Sequence, residues 1–329
     1  MSALRRLLGC RVPIQQAGFG SSLNVDLVAA VAGAGAIGTV GAALASPAEL
    51  EAALGEIRRR TDDGAVAVNF VEPFFDRAAH GAVLEVAAAG ADLVEFFYGD
   101  PDAALIEAIH RGGARAGWQV GSVDEALAAA GCGVDVVAVQ GIEAGGHVRA
   151  TAGLLPMLAA VLDRVEVPVM AAGGIASPRA MAAALAAGAA GVRMGTRFVA
   201  CAEADFHAGY KAALVAAGHG DTVYTAAFRE LWPGAPHRVL RSAIAAAEAN
   251  PAPVVATMSA GAERIDVPRF AGFAPVADAD GDVAAMALFA GEGVGDIDDV
   301  PPAAEIVRRF ADGAARLLGA MPVDASGAS

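Results

Sequence analysis

The sequence predicts an α/β protein, a (β/α)8 TIM barrel with a smaller inserted domain near the C-terminus. Three observations predict it. Between Val12 and Met194, eight short runs rich in Val, Ala and Ile alternate with helical stretches, the rhythm of a parallel sheet covered by helices. The runs are apolar at nearly every position rather than at every second one, as strands buried on both faces are. Several end in glycine or a polar side chain, at the strand ends where such barrels keep their chemistry. A length of 329 residues suits one barrel carrying an insertion. The alternative is a doubly wound open sheet, but no Gly-x-Gly-x-x-Gly opens the chain. The nearest stretch, Gly33 to Gly38, precedes a strand instead of following one.

The first strand is expected over Val12–Ala17, followed by a helix over Val25–Ala32 capped by Asn24 or Ser22. Ala36–Gly41 is the second strand. Ser46 then caps a helix through Arg59 with Pro47 at its first position. Ala65–Phe70 is the third strand, with a helix over Asp76–Ala89 after it. The fourth, Asp92–Phe97, leads to a helix opened by Asp100-Pro101 and ending at His110. Ala114–Val120 is the fifth, and Ser122 with Glu125 forms a capping box for a helix over Val123–Ala130. Val134–Val139 is the sixth, followed by a helix over Leu154–Leu162. Val167–Ala172 is the seventh, with a helix from Ser177-Pro178 to Ala187. Ala190–Met194 is the eighth.

After Thr196 the rhythm changes. The expected domains are a barrel over residues 1–204, a smaller inserted substrate or lid domain over 205–281, and C-terminal helices over 282–321 that return to the barrel. Within these, helices are expected over Ala204–Gly218, Asp282–Ala290 and Pro302–Leu318. The tail from Pro322 to Ser329 is expected to be disordered.

Composition narrows the function. A net charge of −14 argues against nucleic acid or an acidic membrane as partner, since phosphate attraction needs a basic face. The Ala-rich runs are interrupted by Gly and Arg and do not read as membrane spans. Met1 to Pro13 has arginines but no long apolar run and does not read as a signal peptide. Cys10, Cys132 and Cys201 have neither disulfide nor metal-ligand spacing, so no metal is expected and the compartment is a reducing cytoplasm.

The stretch Val139 to His147 follows the sixth strand with three glycines, a carboxylate and a histidine. Glycines let backbone N–H groups approach a ligand, and His147 would stand at the mouth of the barrel. Gly173-Gly174 and Gly195-Thr196 follow the seventh and eighth strands, the usual phosphate site of such barrels. Arg149 is expected to face solvent, and His80, His110, His207, His219 and His237 to be surface or packing residues.

Five stretches carry a resemblance. They are Pro13-Ile14-Gln15, Val68-Asn69, Gln140-Gly141-x-Glu143-Ala144-Gly145-Gly146-His147, Ala172-Gly173-Gly174-Ile175 and Gly195-Thr196-Arg197-Phe198. Together with Gly293-Val294-Gly295-Asp296-Ile297, they resemble the nitronate monooxygenases, formerly called 2-nitropropane dioxygenases. The resemblance runs from about Pro13 to Arg309 and is weakest in the insertion. It implies FMN across the barrel mouth. By motif matching Ala17, Gly18, Phe19, Asn69 and Gln119 would hold the ring and ribityl chain. Gly146, Gly173, Gly174, Gly195 and Thr196 would hold the lower chain and phosphate. His147 matches the catalytic histidine of the family.

The implied reaction is oxidation of an alkyl nitronate, or a nitroalkane, by dioxygen to a carbonyl compound and nitrite, with no nucleic acid or membrane involved. An imidazole can take the proton next to a nitro group, or bind and orient a substrate that arrives as the anion. The resemblance allows a homodimer. The chain departs from the family in having Gln16-Ala17-Gly18-Phe19 where Ala-Pro-Met is common, Gln119 where some members place a lysine, and Val148-Arg149 where a glycine commonly follows the histidine. Flavin-dependent enoyl-acyl-carrier-protein reductases share the motifs, so an NAD(P)H-dependent reductase is the competing reading. A non-catalytic FMN-binding protein is a third, against which His147 argues.

Overall fold

Apolar runs with both faces covered pair best with each other, and here they do so around a closed ring. The computed structural model describes residues 3–20, 22–61, 64–230, 232–261 and 263–319. The chain runs through α1 (Ala3–Leu8), β1 (Ile14–Gln16), α2 (Val25–Gly33), β2 (Ile37–Gly41), α3 (Pro47–Arg60), β3 (Ala65–Val71) and α4 (Arg77–Gly90). It continues through β4 (Leu93–Phe97), α5 (Ala103–Gly112), β5 (Arg115–Val120), α6 (Val123–Gly131), β6 (Val136–Gln140) and the two-residue β7 (Gly146–His147). Then come α7 (Leu154–Leu162), β8 (Val169–Ala172), α8 (Pro178–Ala186), β9 (Gly191–Met194) and the short α9 (Thr196–Val199). Eight of these strands, all but β7, close a parallel barrel in chain order. β9 pairs back to β1 through Ile14↔Val192, Gln15↔Arg193 and Gln16↔Met194. The (β/α)8 barrel read from the sequence is the one observed.

Local chemistry starts most of the helices. Ser46 and Glu49 form a reciprocal capping box on α3 behind Pro47. Ser177 caps α8 ahead of Pro178. Three starts differ from expectation. Asn24 stands at the cap of α2 in the left-handed region (φ 49°), but its carboxamide oxygen accepts from Asp205 N at 2.8 Å instead of capping. Asp102, not Asp100, caps α5. Ser122 caps α6, but Glu125 turns away from the reciprocal bond and accepts from Gly121 N at 2.8 Å.

The barrel interior has two layers. The lower one is apolar: Ile37, Ala65, Ala67, Leu93, Val136, Ala138 and Met170 pack with Leu4 and Leu8 of α1, which plugs that end. The upper layer is polar and buried. Arg193 pairs with Glu95 and donates to Gln15 Oε1 at 3.0 Å and Gln119 Oε1 at 2.6 Å. Gln15 donates in turn to Thr39 Oγ1 at 3.0 Å.

Beyond β9 come α10 (Ala208–Ala216), β10 (Thr222–Thr225), β11 (His237–Leu240), α11 (Arg241–Ala249), β12 (Val254–Ala260), β13 (Glu263–Pro268), β14 (Asp280–Gly281) and α12 (Ala303–Gly319). β12 pairs with β13 and β14, while β10, β11 and β7 form a second antiparallel sheet. α10 starts later than the helix expected from Ala204, because Phe206 bridges Val276. The helix expected over Asp282–Ala290 is absent. Val283–Ala285 make one 3-10 turn, and the chain then runs extended. Met286, Ala287 and Leu288 are all buried, and Leu240 N donates to Leu288 O at 2.9 Å, so pairing overrides the helical preference of alanine. α12 follows its predicted course and packs on α8 and α2. The tail from Pro322 lies outside the described residues.

The polar layer makes a stability prediction. Glu95→Leu leaves Arg193 buried beside neutral acceptors alone, and should lower stability by about 3–5 kcal/mol in urea unfolding. Adding Arg193→Leu should recover much of that loss. A single variant as stable as wild type would show that the pair does not hold the layer.

Candidate active site

The C-terminal ends of the barrel strands open into one cavity of about 480 Å³. All eleven residues singled out from the sequence line it: Ala17, Gly18 and Phe19 after β1, Asn69 in β3, Gln119 in β5, Gly146 and His147 in β7, Gly173 and Gly174 after β8, and Gly195 and Thr196 after β9. The cavity is two-sided. One wall is glycine backbone. The other is aromatic, with Phe74, Trp232, Phe273 and Phe289. Among the described residues Arg193 is the one arginine or lysine in the lining, at the floor.

The loop carrying His147 is held from several directions. Gln140, at the end of β6, donates to His147 O at 3.0 Å and accepts from Arg149 N at 3.1 Å, standing in for a missing strand. Glu143 turns away from the cavity and accepts from Leu154 N at 2.9 Å at the start of α7. β11 pairs with β7 in the register His237↔His147 and Arg238↔Gly146, and Arg238 donates to Ile142 O at 2.9 Å.

Arg149 does not face solvent. It bonds Glu125 at 2.8 Å, Asp100 at 2.7 Å and Tyr98 O at 3.0 Å. Those acceptors come from the segments after β4 and β5, which sequence spacing does not connect to it. Tyr98 is a non-glycine residue at φ 71°, a conformation that costs energy, and the Arg149 bond holds it there.

His147 sits among rings. Trp232 lies 4.4 Å away by ring centroids, His237 and Phe289 5.5 Å, and Tyr98 6.2 Å. Its Nε2 is buried with no hydrogen-bond partner among the described residues. Burial first, and then the neighbouring His237, push its pKa down to about 3. His237 was passed over in the sequence, yet it is fully buried against the site. The other histidines have surface duties: His80 accepts from Asp76 N, His110 pairs with Asp135, His207 caps α10 and His219 meets Asp296. The thiols of Cys10 and Cys201 are pushed up to about 11 by burial and are poor nucleophiles.

The glycine wall offers backbone N–H groups to an anion. Gly173 has φ 120°, which no other residue adopts without strain. A Cβ on Gly146 would meet nothing within 4 Å, and one on Gly195 would meet only Ala17 Cβ at 3.8 Å. Those backbones therefore face open cavity, where a phosphate can come close to N–H groups.

Two predictions follow from this geometry. Gly195→Asp should fold normally, since Gly195 has negative φ and open space, but should weaken binding of a phosphate-bearing ligand, such as the flavin that the resemblance implies, through like charge against phosphate. Full flavin occupancy would place the phosphate elsewhere. The second concerns acid. The folded value for His147, about 3, lies below the ordinary 6.5, so the unfolded chain binds the extra proton between them. Its contribution to stability is complete above pH 6.5 and is lost as pH falls toward 3. His147→Asn should make the fall in urea midpoint from pH 7 to pH 4.5 shallower, and an unchanged fall would contradict a neutral buried ring.

A model of the family described as nitronate monooxygenase matches residues 1–74 and 76–313. A hydroxy-methyl-oxo-octahydroindene-carboxyl-CoA dehydrogenase of Rhodococcus jostii is 36% identical over 241 residues, 73% of this chain. The chain spans 66% of that relative's length. Among solved structures, FabK from Thermotoga maritima superposes with a TM-score of 0.77 at 28% identity, over 98% of this chain and 99% of that one. Nitroalkane oxidase from Streptomyces ansochromogenes gives the same TM-score, 0.77, and identity, 28%, over 98% of this chain and 100% of its own. The family match covers the barrel, the segment bearing His237 and most of α12, and the chain belongs to the nitronate monooxygenase family.

Proposed function

We propose that the chain is an FMN-dependent nitronate monooxygenase that oxidises alkyl nitronates with dioxygen to a carbonyl compound and nitrite. One observation carries the reading: a buried histidine nitrogen, without a hydrogen-bond partner among the described residues, opens on a cavity with an aromatic wall and a glycine wall. Ala17, Gly18, Phe19, Asn69 and Gln119 would hold the flavin ring and ribityl chain. Gly146, Gly173, Gly174, Gly195 and Thr196 would hold its lower chain and phosphate. When bound, FMN supplies electron acceptance and the reaction with dioxygen. Residues 205–281 would act as the lid that excludes water from this chamber.

Of the two roles expected of His147, its depressed pKa favours the second, binding and orienting an anion. A base near 3 is badly matched to removing a proton from carbon. The same ring is well placed to meet a substrate that already carries the charge. A nitronate oxygen beside it favours the protonated ring and draws that pKa back up, so His147 would hydrogen-bond and orient the anion. Preformed nitronates, rather than neutral nitroalkanes, are therefore the favoured substrates.

The expected result is that wild-type enzyme consumes a preformed alkyl nitronate at least about a hundredfold more efficiently than the parent nitroalkane at pH 7, and that His147→Asn keeps FMN but loses about tenfold or more on the nitronate. Equal efficiency on the two forms would restore the base role. Anaerobic reduction of the flavin by NADPH, with an enoyl thioester as acceptor, would favour the reductase activity instead. Protein that purifies with FAD would overturn the cofactor reading.

A further inference from the structure

The loop from Phe228 to Pro236 leads into β11, and both of its ends converge on one side chain. Phe228 N–H donates to His237 Nε2 at 3.2 Å, and His237 Nδ1 lies 3.0 Å from Ala235 O. The His237 ring has no exposed surface. A backbone N–H can only donate, so Nε2 must be unprotonated, and Nδ1 must carry the hydrogen that meets the carbonyl. Both ring nitrogens are thus spent on main chain, and a second proton on the ring would set donor against donor. His237 has no proton to give its neighbour, although His147 lies 5.5 Å away.

What the loop carries is Trp232. Its indole packs 4.4 Å from His147, 4.5 Å from Tyr98 and 4.7 Å from Phe74, bridging the loop to the segments after β6, β4 and β3. Val148 N donates to Pro236 O at 2.8 Å, so the loop's far end is also tied beside His147. With the tie at His237 cut, Phe228 N–H and Ala235 C=O would each need another partner, and water is the one at hand. Water entering there would reach the same chamber as His147 Nε2.

We propose that His237 is a positioning residue of the active site, a two-sided staple that closes the 228–235 loop and so holds Trp232 over His147. The inference rests on the reading of His147 as the residue that meets the substrate. Its working part is structural: a neutral imidazole, fixed in one tautomer, substitutes for a strand pairing that the loop cannot make. Glutamine can reproduce both bonds, with its oxygen as acceptor and its amide as donor. Phenylalanine fills the space and reproduces neither.

The test uses FMN-loaded protein and three variants: His237→Phe, His237→Gln and Trp232→Ala. In His237→Phe, acrylamide quenching of tryptophan emission should rise at least about twofold, because Trp118 is buried in the core and Trp232 is the indole set free. The KM for an alkyl nitronate should rise about tenfold with a smaller change in kcat, and His237→Gln should return both close to wild type. The His147 imidazole resonance should titrate at higher pH in Trp232→Ala, which admits water while leaving His237 in place.

His237→Phe with wild-type quenching and wild-type KM would overturn the proposal. So would a folded His237→Gln as impaired as His237→Phe, which would make the ring a space-filler. Should His237→Phe fail to fold, Trp232→Ala with wild-type KM and wild-type His147 titration would overturn it alone. If the wild-type protein consumes no nitronate, the assignment of activity fails, while quenching and titration still decide the role of His237.

Discussion

The pairing of β9 onto β1 turns a parallel sheet into a barrel, and it sets Gln15 beside Arg193. That adjacency brings the guanidinium within reach of Glu95 and Gln119 from the opposite side of the ring. A charge so far from water survives because carboxylate and amide oxygens surround it. Below this layer an apolar cluster fills the barrel; above it the cavity begins. The floor of the site is therefore a charged network that cannot be altered one residue at a time.

The upper wall depends on a different pairing. β11 lies outside the barrel, yet it pairs with β7, and its successive side chains divide the work. His237 turns to the aromatic loop, while Arg238 turns to Ile142 O and Glu292. One four-residue strand thereby fixes both the glycine loop and the cover over it. Arg149 performs a similar service from the other side by holding the strained Tyr98. Among the described residues His147 makes no hydrogen bond through Nε2, and its position is imposed by what its neighbours bond to.

Much of this was legible in the sequence where the determining contacts are local or general. A strand buried on both faces, such as Val136–Gln140, announces itself as an apolar run. Ser46-Pro47 with Glu49 is a complete helix start within four residues. The glycine loops stood out because backbone approach demands glycine whatever the ligand. The failures share one cause, which is distance along the chain. Arg149 finds acceptors about 25 and 50 residues away, and its exposure cannot be read from its neighbours. The 286–290 segment is alanine-rich and would be helical alone, but it is claimed by β11. His237 looked ordinary because its partner in register, His147, is 90 positions earlier. The plug made by α1 was missed because six residues are too few for periodicity to speak.

That plug bears on how the molecule is made. Leu4 reaches a place where a Cβ on Gly191 would come within 2.8 Å of it, and Leu8 shares its cluster with Met170. Helix α1 therefore has no finished seat until the last barrel strand is in place. The β1 strand likewise waits for β9. Until β9 pairs with β1 the sheet is unsealed and Leu4 and Leu8 lack part of their cover. Sealing is a late event that joins the two ends of the barrel sequence at once, and such long-range closure is slow. An incomplete barrel thus exposes an apolar end that the finished fold hides.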